Sequence, residues 1–436
     1  SASVEFNFCN RHVAMSEAAT AQVLGNIIED DAVANSIGKS ADDVEDVPLF
    51  GNAADSRGRR RDHPVLWTVA LNLAMIGIGI ALAMVGPTLL DLAQQLQVSF
   101  ATAGTLFTFR AAGYLVGALM SGQLLHRASP SLVMLAPLVF ACLGCFSIPH
   151  MHLHWLACLL FSTQGMSMGM LDVGGNVLLL SIWRGSKLLN GLMHAMHFSF
   201  GLGAFLAPLS VGLWLDLGGS AIQLWTVVAI GLLPSCACLA LLACLPKLEV
   251  VDEEEDGDAM NRIVIGAAAF LFVYVGLEVT YGGYIDAFAV KWLKADEAAA
   301  AWLTSVYWGS LCAGRLVAAA ATPYVNHTLY LAAHLLAAIL SMCWMTVVTA
   351  SGSTSLGWFL TAVAPSAVVG FALAPLFPGA MLVAEELLGR AVSGTAASVM
   401  VSAAATGEML LPMITGSLMS LKPMMFCWVQ LTLCFA

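Results

Sequence analysis

The chain has 436 residues, of which 59% are hydrophobic and only 10% are charged, and its formal net charge is −11. Soluble globular domains carry about 25% charged residues, so this composition excludes one of that size and points to a protein that lives in a bilayer. The negative charge comes largely from residues 1–62 and from Asp252-Glu-Glu-Glu-Asp256, and it argues against a nucleic acid partner.

Residues 1–62 hold no long apolar run and end on the basic cluster Arg57-Gly-Arg-Arg-Arg61. They read as a disordered cytosolic tail. They lack the apolar core and cleavage site of a signal peptide, so the first apolar run is expected to act as the insertion signal. From there, about twelve apolar runs near the ~20-residue length of a membrane span begin near residues 66, 101, 131, 155, 189, 222, 263, 299, 328, 356, 391 and 423. The last run is short and the chain opens on Ser1, so both ends read as truncated. The acidic stretch falls after the sixth run. The expected organisation is therefore a tail (1–62), an N-terminal six-helix bundle (63–246), an acidic cytosolic linker (247–262) and a C-terminal six-helix bundle (263–436). This is an all-α membrane protein with about twelve transmembrane helices in two pseudo-symmetric bundles.

The basic residues Arg57, Arg59, Arg60, Arg61, Arg127, Arg184, Lys187, Lys247, Arg262 and Arg390 precede the first run or fall in even-numbered connections, whereas Lys291, Lys294 and Lys422 fall on the other side. That bias places the N-terminus and the central linker in the cytosol of a multi-pass protein, most simply one of the plasma membrane. The halves also look duplicated. Gly203, Pro208 and Gly212 in the fifth run have the same spacing as Gly407, Pro412 and Gly416 in the eleventh. Related halves imply a binding site between them, near the bilayer midplane.

Polar residues inside the runs are the candidates for that site. Asp172-Val-Gly-Gly-Asn176 puts a carboxylate and an amide one turn apart on one helix face. A charge at the bilayer centre costs roughly 2.5–3.5 kcal/mol even on insertion scales, so it reads first as part of a solute or ion pathway, with an interhelical hydrogen bond as the plainer alternative. Glu278 is a second deep carboxylate, and Tyr281, Gly282 and Ile285 continue its face. Carboxylates and amides bind sugar hydroxyls and aromatic rings pack on a pyranose, which Tyr281, Tyr284 or Trp308 could supply unless they are ordinary packing or interfacial anchors. Arg110, Arg315 and Glu408 give the interior both signs and read as gating or structural charge pairs, with anionic substrate binding as the rival. His194 and His197 lie three apart and titrate near neutrality, which suits a proton-coupled cycle or a structural hydrogen bond. Cys142-Leu-Gly-Cys145 sits inside an apolar run, where thiols behave as small hydrophobes. His150-Met-His152-Leu-His154 has no obvious fourth ligand, so no metal and no cofactor is expected. No nucleophile, phosphate loop or nucleotide motif suggests an enzyme.

Gly113-Tyr-Leu-Val-Gly117, Ser121-Gly122 and His126-Arg127 resemble the signature of the major facilitator superfamily after its second span, and Gly314-Arg315 is a weaker echo in the eighth. His126 stands where that family usually has an acid, so the charge relay of its loop, to which Arg127 would belong, is altered here. Within the superfamily, Leu171-Asp172-Val-Gly-Gly-Asn176, the stretch His194 to Gly203, and Gly276-Leu-Glu278-Val-Thr-Tyr281-Gly-Gly-Tyr284 resemble the branch of fucose permeases and sodium-dependent glucose transporter-like proteins. The fucose permeases pair Glu with Asn four residues later, as Asp172 and Asn176 do with a shorter acid, but their first-span acid is replaced here by Asn72, with Asp91 at the span exit. The resemblance implies a secondary transporter that moves a hexose or related sugar by alternating access, coupled to sodium, to protons or to neither, with Asp172, Asn176, Glu278, Tyr281, Tyr284 and His197 meeting solute or cation. A transporter of an organic anion or other small metabolite, or a membrane sensor built on the same fold, is the alternative.

Overall fold

The computed structural model describes residues 63–183, 186, 188–244, 261–321, 324–351, 357–389, 392 and 394–436. The expected tail, the linker as far as residue 260, and Arg184, Lys187 and Arg390 lie outside the described residues, as does the side chain of His126. The described elements are helical throughout. They are α1 (Pro64–Ala83), α2 (Val85–Gln95), α3 (Phe100–Arg127), α4 (Pro130–Ser147), α5 (His154–Trp183), α6 (Leu189–Asp216) and α7 (Leu224–Ala243) in the first half. The second half contains α8 (Arg262–Lys291), α9 (Glu297–Ala321), α10 (His327–Ala350), α11 (Ala364–Leu373), α12 (Leu376–Leu388), α13 (Gly394–Leu421) and α14 (Met425–Phe435). Among the described residues ten helical segments are long and apolar enough to cross a membrane. The 25-residue α9 and the short apolar α14 match the two remaining runs of the sequence.

Local chemistry sets the helix ends and breaks. Proline stands at the start of α1 and α4, where its missing N–H costs nothing. Ser99, Asn261 and Asn326 cap α3, α8 and α10 by accepting from the backbone N–H groups of Thr102, Ile263 and Leu329. Pro87 cannot donate to the preceding turn and crowds it, and the first span breaks at Met84 between α1 and α2. The tenth span is broken too: a π-helical turn, Phe359–Val363, leads into Pro365 of α11, and a second break at Ala374–Pro375 separates α11 from α12.

The helix pairing of one half is repeated in the other. In the first half α3 packs on α5, α1 on α6 and α4 on α7; in the second, α9 packs on α11, α8 on α13 and α10 on α14. The spaced glycines serve this pairing. A Cβ on Gly203 of α6 would lie 2.0 Å from the Ile76 carbonyl oxygen of α1, and one on Gly407 of α13 would lie 1.9 Å from the Phe272 oxygen of α8. Only hydrogen fits at either contact, so the repeated glycines hold equivalent helix pairs at backbone contact.

The halves meet through α3 against α13 and α6 against α9. Their contacts run from mid-span to the end marked by Lys291. Thr108 donates to the Met409 carbonyl at 3.3 Å, Trp302 Nε1 donates to Asp216 at 3.1 Å, and Gly86 abuts the backbone of Gly282 and Gly283. Tyr284 of α8 wedges between Phe100 and Phe107 of α3, with ring centroids 5.8 and 5.2 Å apart. The Lys291 ammonium sits 3.4 Å from the centre of the Phe100 ring and extends this aromatic seam. Below mid-span, His194, Ala195 and His197 are exposed. The halves are thus closed together at the Lys291 end.

Candidate transport site

Three carboxylates and two guanidinium groups gather at mid-span where the halves meet. Glu408 of α13 lies within electrostatic reach of Arg110, Glu278 and Asp172. Arg110 is 1% exposed; its Nη2 donates to Glu408 Oε1 at 3.1 Å across the halves, and its Nη1 donates to the Leu82 carbonyl at 3.0 Å, beside the break in the first span. One cation therefore ties α3 to α13 and also satisfies a backbone oxygen that the broken helix exposes. In the second half, Arg315 of α9 donates to Glu278 Oε1 at 3.3 Å, Tyr274 donates to Glu278 Oε2, and the Tyr307 hydroxyl donates to the Glu278 carbonyl at 2.9 Å.

Asp172 differs from both. It is half-buried, and its partners are neutral: Tyr114 donates to Oδ2 at 2.6 Å and Asn176 Nδ2 donates to Oδ1 at 3.3 Å. Among the described residues no Lys or Arg pairs with it. His197 of α6 is exposed and lies where the charges of Asp172 and Arg315 act on it. A second polar pair links α1 to α6 in the same half, Ser199 donating to Asn72 Oδ1 at 2.7 Å. These groups offer a carboxylate, amides, hydroxyls and an imidazole, a set able to coordinate a small cation or to bind hydroxyl groups.

The structure separates the candidates. Asp172, Asn176 and His197 come together. Glu278 does not have the open carboxylate expected of it, since Arg315 and Tyr274 take both oxygens. Tyr281 is a correction: its hydroxyl pairs with Ser366 at 2.8 Å and its ring stacks on Tyr307 and packs against Phe426, inside the second half. Helical spacing from Glu278 gave the right face, but that face turns into the bundle core. Tyr284 belongs to the seam between the halves rather than to an open cavity. Trp308 is 1% exposed and packs on Tyr307. Arg110 pairs with Glu408, Arg315 with Glu278, and Arg127 is exposed at the end of α3. Sequence reasoning missed Tyr114 and Tyr274. Each lies four residues from a charged neighbour on its helix, Arg110 and Glu278, which is the signal that could have found them. Among the described residues no group of three or more His, Cys, Asp or Glu side chains is arranged to hold a metal ion, which leaves His150, His152 and His154 without a metal-site geometry.

The family model of the Major Facilitator Superfamily matches residues 71–412. Sodium-dependent glucose transporter 1 of Danio rerio is 29% identical over 411 residues, covering 85% of this chain and 67% of its own length. The Xenopus laevis protein of the same name is 30% identical over 376 residues (79% and 74%), and the Homo sapiens one 29% over 398 residues (80% and 73%). Among solved structures, the nucleoside transporter NupG superposes with a TM-score of 0.66 over 85% of this chain and 98% of its own, at 14% identity, a likeness of fold alone. With two halves that repeat one pairing scheme and a charged site between them, the chain belongs to the major facilitator superfamily, as a membrane transporter and not an enzyme.

Proposed function

We propose that this transporter carries a hexose or closely related sugar by alternating access, with Asp172 as the carboxylate that meets the solute or its coupling cation. The observation that carries the reading is the contrast in partners: Glu278 and Glu408 are each neutralised by an arginine, whereas Asp172 is held only by Tyr114 and Asn176. A half-buried carboxylate with neutral donors has spare lone pairs for sugar hydroxyls or for a monovalent cation. Relatives named for sodium-dependent glucose transport support sodium over protons as that cation. The central arginines are both engaged by carboxylates, so among the described residues an organic anion finds no unpaired arginine at this site. The bundle boundaries at 246 and 263 and a cytosolic N-terminus belong to the same reading. With Arg127 and Arg262 at one end and Lys291 and Lys422 at the other, the closed end faces outward and the site opens to the cytosol.

The test is labelled hexose uptake into proteoliposomes under an inward sodium gradient, a proton gradient or none, for wild type, Asp172→Asn and Glu278→Gln. Concentrative uptake driven by sodium alone and lost in Asp172→Asn is the expected result. Absence of hexose flux in folded protein under all three conditions would refute the sugar assignment. Uptake unchanged by Asp172→Asn would refute the site.

A further inference from the structure

The closed end contains a carboxylate that the central site does not use. Asp286 of α8 is only 3% exposed, and among the described residues it makes no hydrogen bond and no ion pair. It lies one turn beyond Gly282, on the face of α8 that abuts Gly86 of α2 in the other half. The charges acting on it are both negative: Asp91 of α2, from the opposite half, and Glu297 at the start of α9. The nearby cations are turned elsewhere. Lys291, in the same helix, sits on the Phe100 ring, and Lys422 lies 5.6 Å from the centre of the Trp292 ring. Of the other helices that pack on α8, α13 and α14 carry no other charged side chain towards this end, and α12 carries only Glu385 and Glu386, in its last turn. Glu408 of α13, at mid-span, is engaged by Arg110.

An ionised Asp286 would therefore sit almost fully enclosed, with no hydrogen-bond or ion-pair partner among the described residues, near one acid of its own half and one, Asp91, of the opposite half. Burial penalises the lone charge, and closure adds like-charge repulsion. Among the described residues no three His, Cys, Asp or Glu side chains are arranged to hold a metal ion here, and one proton would remove both penalties. We propose that Asp286 is a proton-binding site of the outer gate, and that the halves close at the Lys291 end with Asp286 protonated and part more readily when it is ionised. Asp91 and Glu297 set how readily it ionises. The site is separate from Asp172 and does not depend on what the central cavity carries.

The experiment is hydrogen exchange of the full chain in lipid nanodiscs, read by mass spectrometry on peptides from residues 85–100 and 282–297, without substrate. After correction for intrinsic exchange, wild-type protection at the gate should rise on acidification by up to about tenfold per pH unit, the limit for one linked proton. Asp286→Asn should be protected at all pH values. Asp91→Asn and Glu297→Gln each remove a like charge and should move the wild-type midpoint to lower pH, which keeps the test open if Asp286→Asn does not fold. A pH-independent wild type, a pH response that survives in Asp286→Asn, or an unmoved midpoint in both neighbouring variants overturns the proposal. So does gate protection induced at alkaline pH by sodium but not by choline, which would assign the site to a metal cation.

Discussion

The two halves share a scaffold and differ in their chemistry. The same helix pairs recur, and the backbone contact at Gly203 has its counterpart at Gly407. Yet the second half clamps its deep carboxylate, Glu278, between Arg315 and Tyr274, while the first leaves Asp172 half-buried with neutral donors. Close packing is intolerant of change, so the repeated contacts fix the architecture; the polar residues between them are free to diverge, into a carboxylate clamped by an arginine in one half and one held by neutral donors in the other.

Substitutions can break or sharpen that contrast, taken here by their effect on unfolding in detergent. Arg110→Ala should be the most damaging, about 3–5 kcal/mol, because it leaves Glu408 buried without its cation and the Leu82 carbonyl without its donor. Removing Glu408 as well should recover part of that loss. Gly407→Ala and Gly203→Ala should each cost roughly 1–3 kcal/mol by forcing α13 from α8 or α6 from α1, and similar values for the two would confirm that the contacts are equivalent. Tyr114→Phe should cost about 1 kcal/mol, since the Asp172 carboxylate keeps Asn176 and access to solvent. Asp172→Asn should change stability by less than about 0.5 kcal/mol, as a partly exposed group outside any ion pair. Should that variant instead unfold the protein, Asp172 would be structural and the contrast between halves would fail.

The sequence made some of this legible and concealed the rest for physical reasons. The bilayer demands about 20 apolar residues per span, so the runs from residue 66 to residue 423 announced the helices. The equal Gly and Pro spacings pointed to the repeated helix pairing, which Gly203 and Gly407 serve because the absence of a Cβ lets the backbones touch. Pairing across the halves was hidden. Arg110 and Glu408 are 298 positions apart, and nothing local says whether Arg315 prefers Glu278 or Glu408. Asp286 carries no mark in the sequence, because burial within the folded protein leaves no trace in the chain around it. Tyr281 failed in the opposite way: a period of 3.6 identifies a shared face but not what that face meets.

The hydrogen bond from Arg110 to the Leu82 carbonyl gives the opening of the closed end a hydration requirement. If Arg110 follows Glu408 when α3 and α13 part, the carbonyl beside the Met84 break loses its donor in the middle of the membrane. Water is the available replacement, so wetting of the broken first span becomes a step of the cycle rather than a by-product of it. Osmotic stress, which withdraws water from such a crevice, should then slow turnover even where substrate affinity is unchanged.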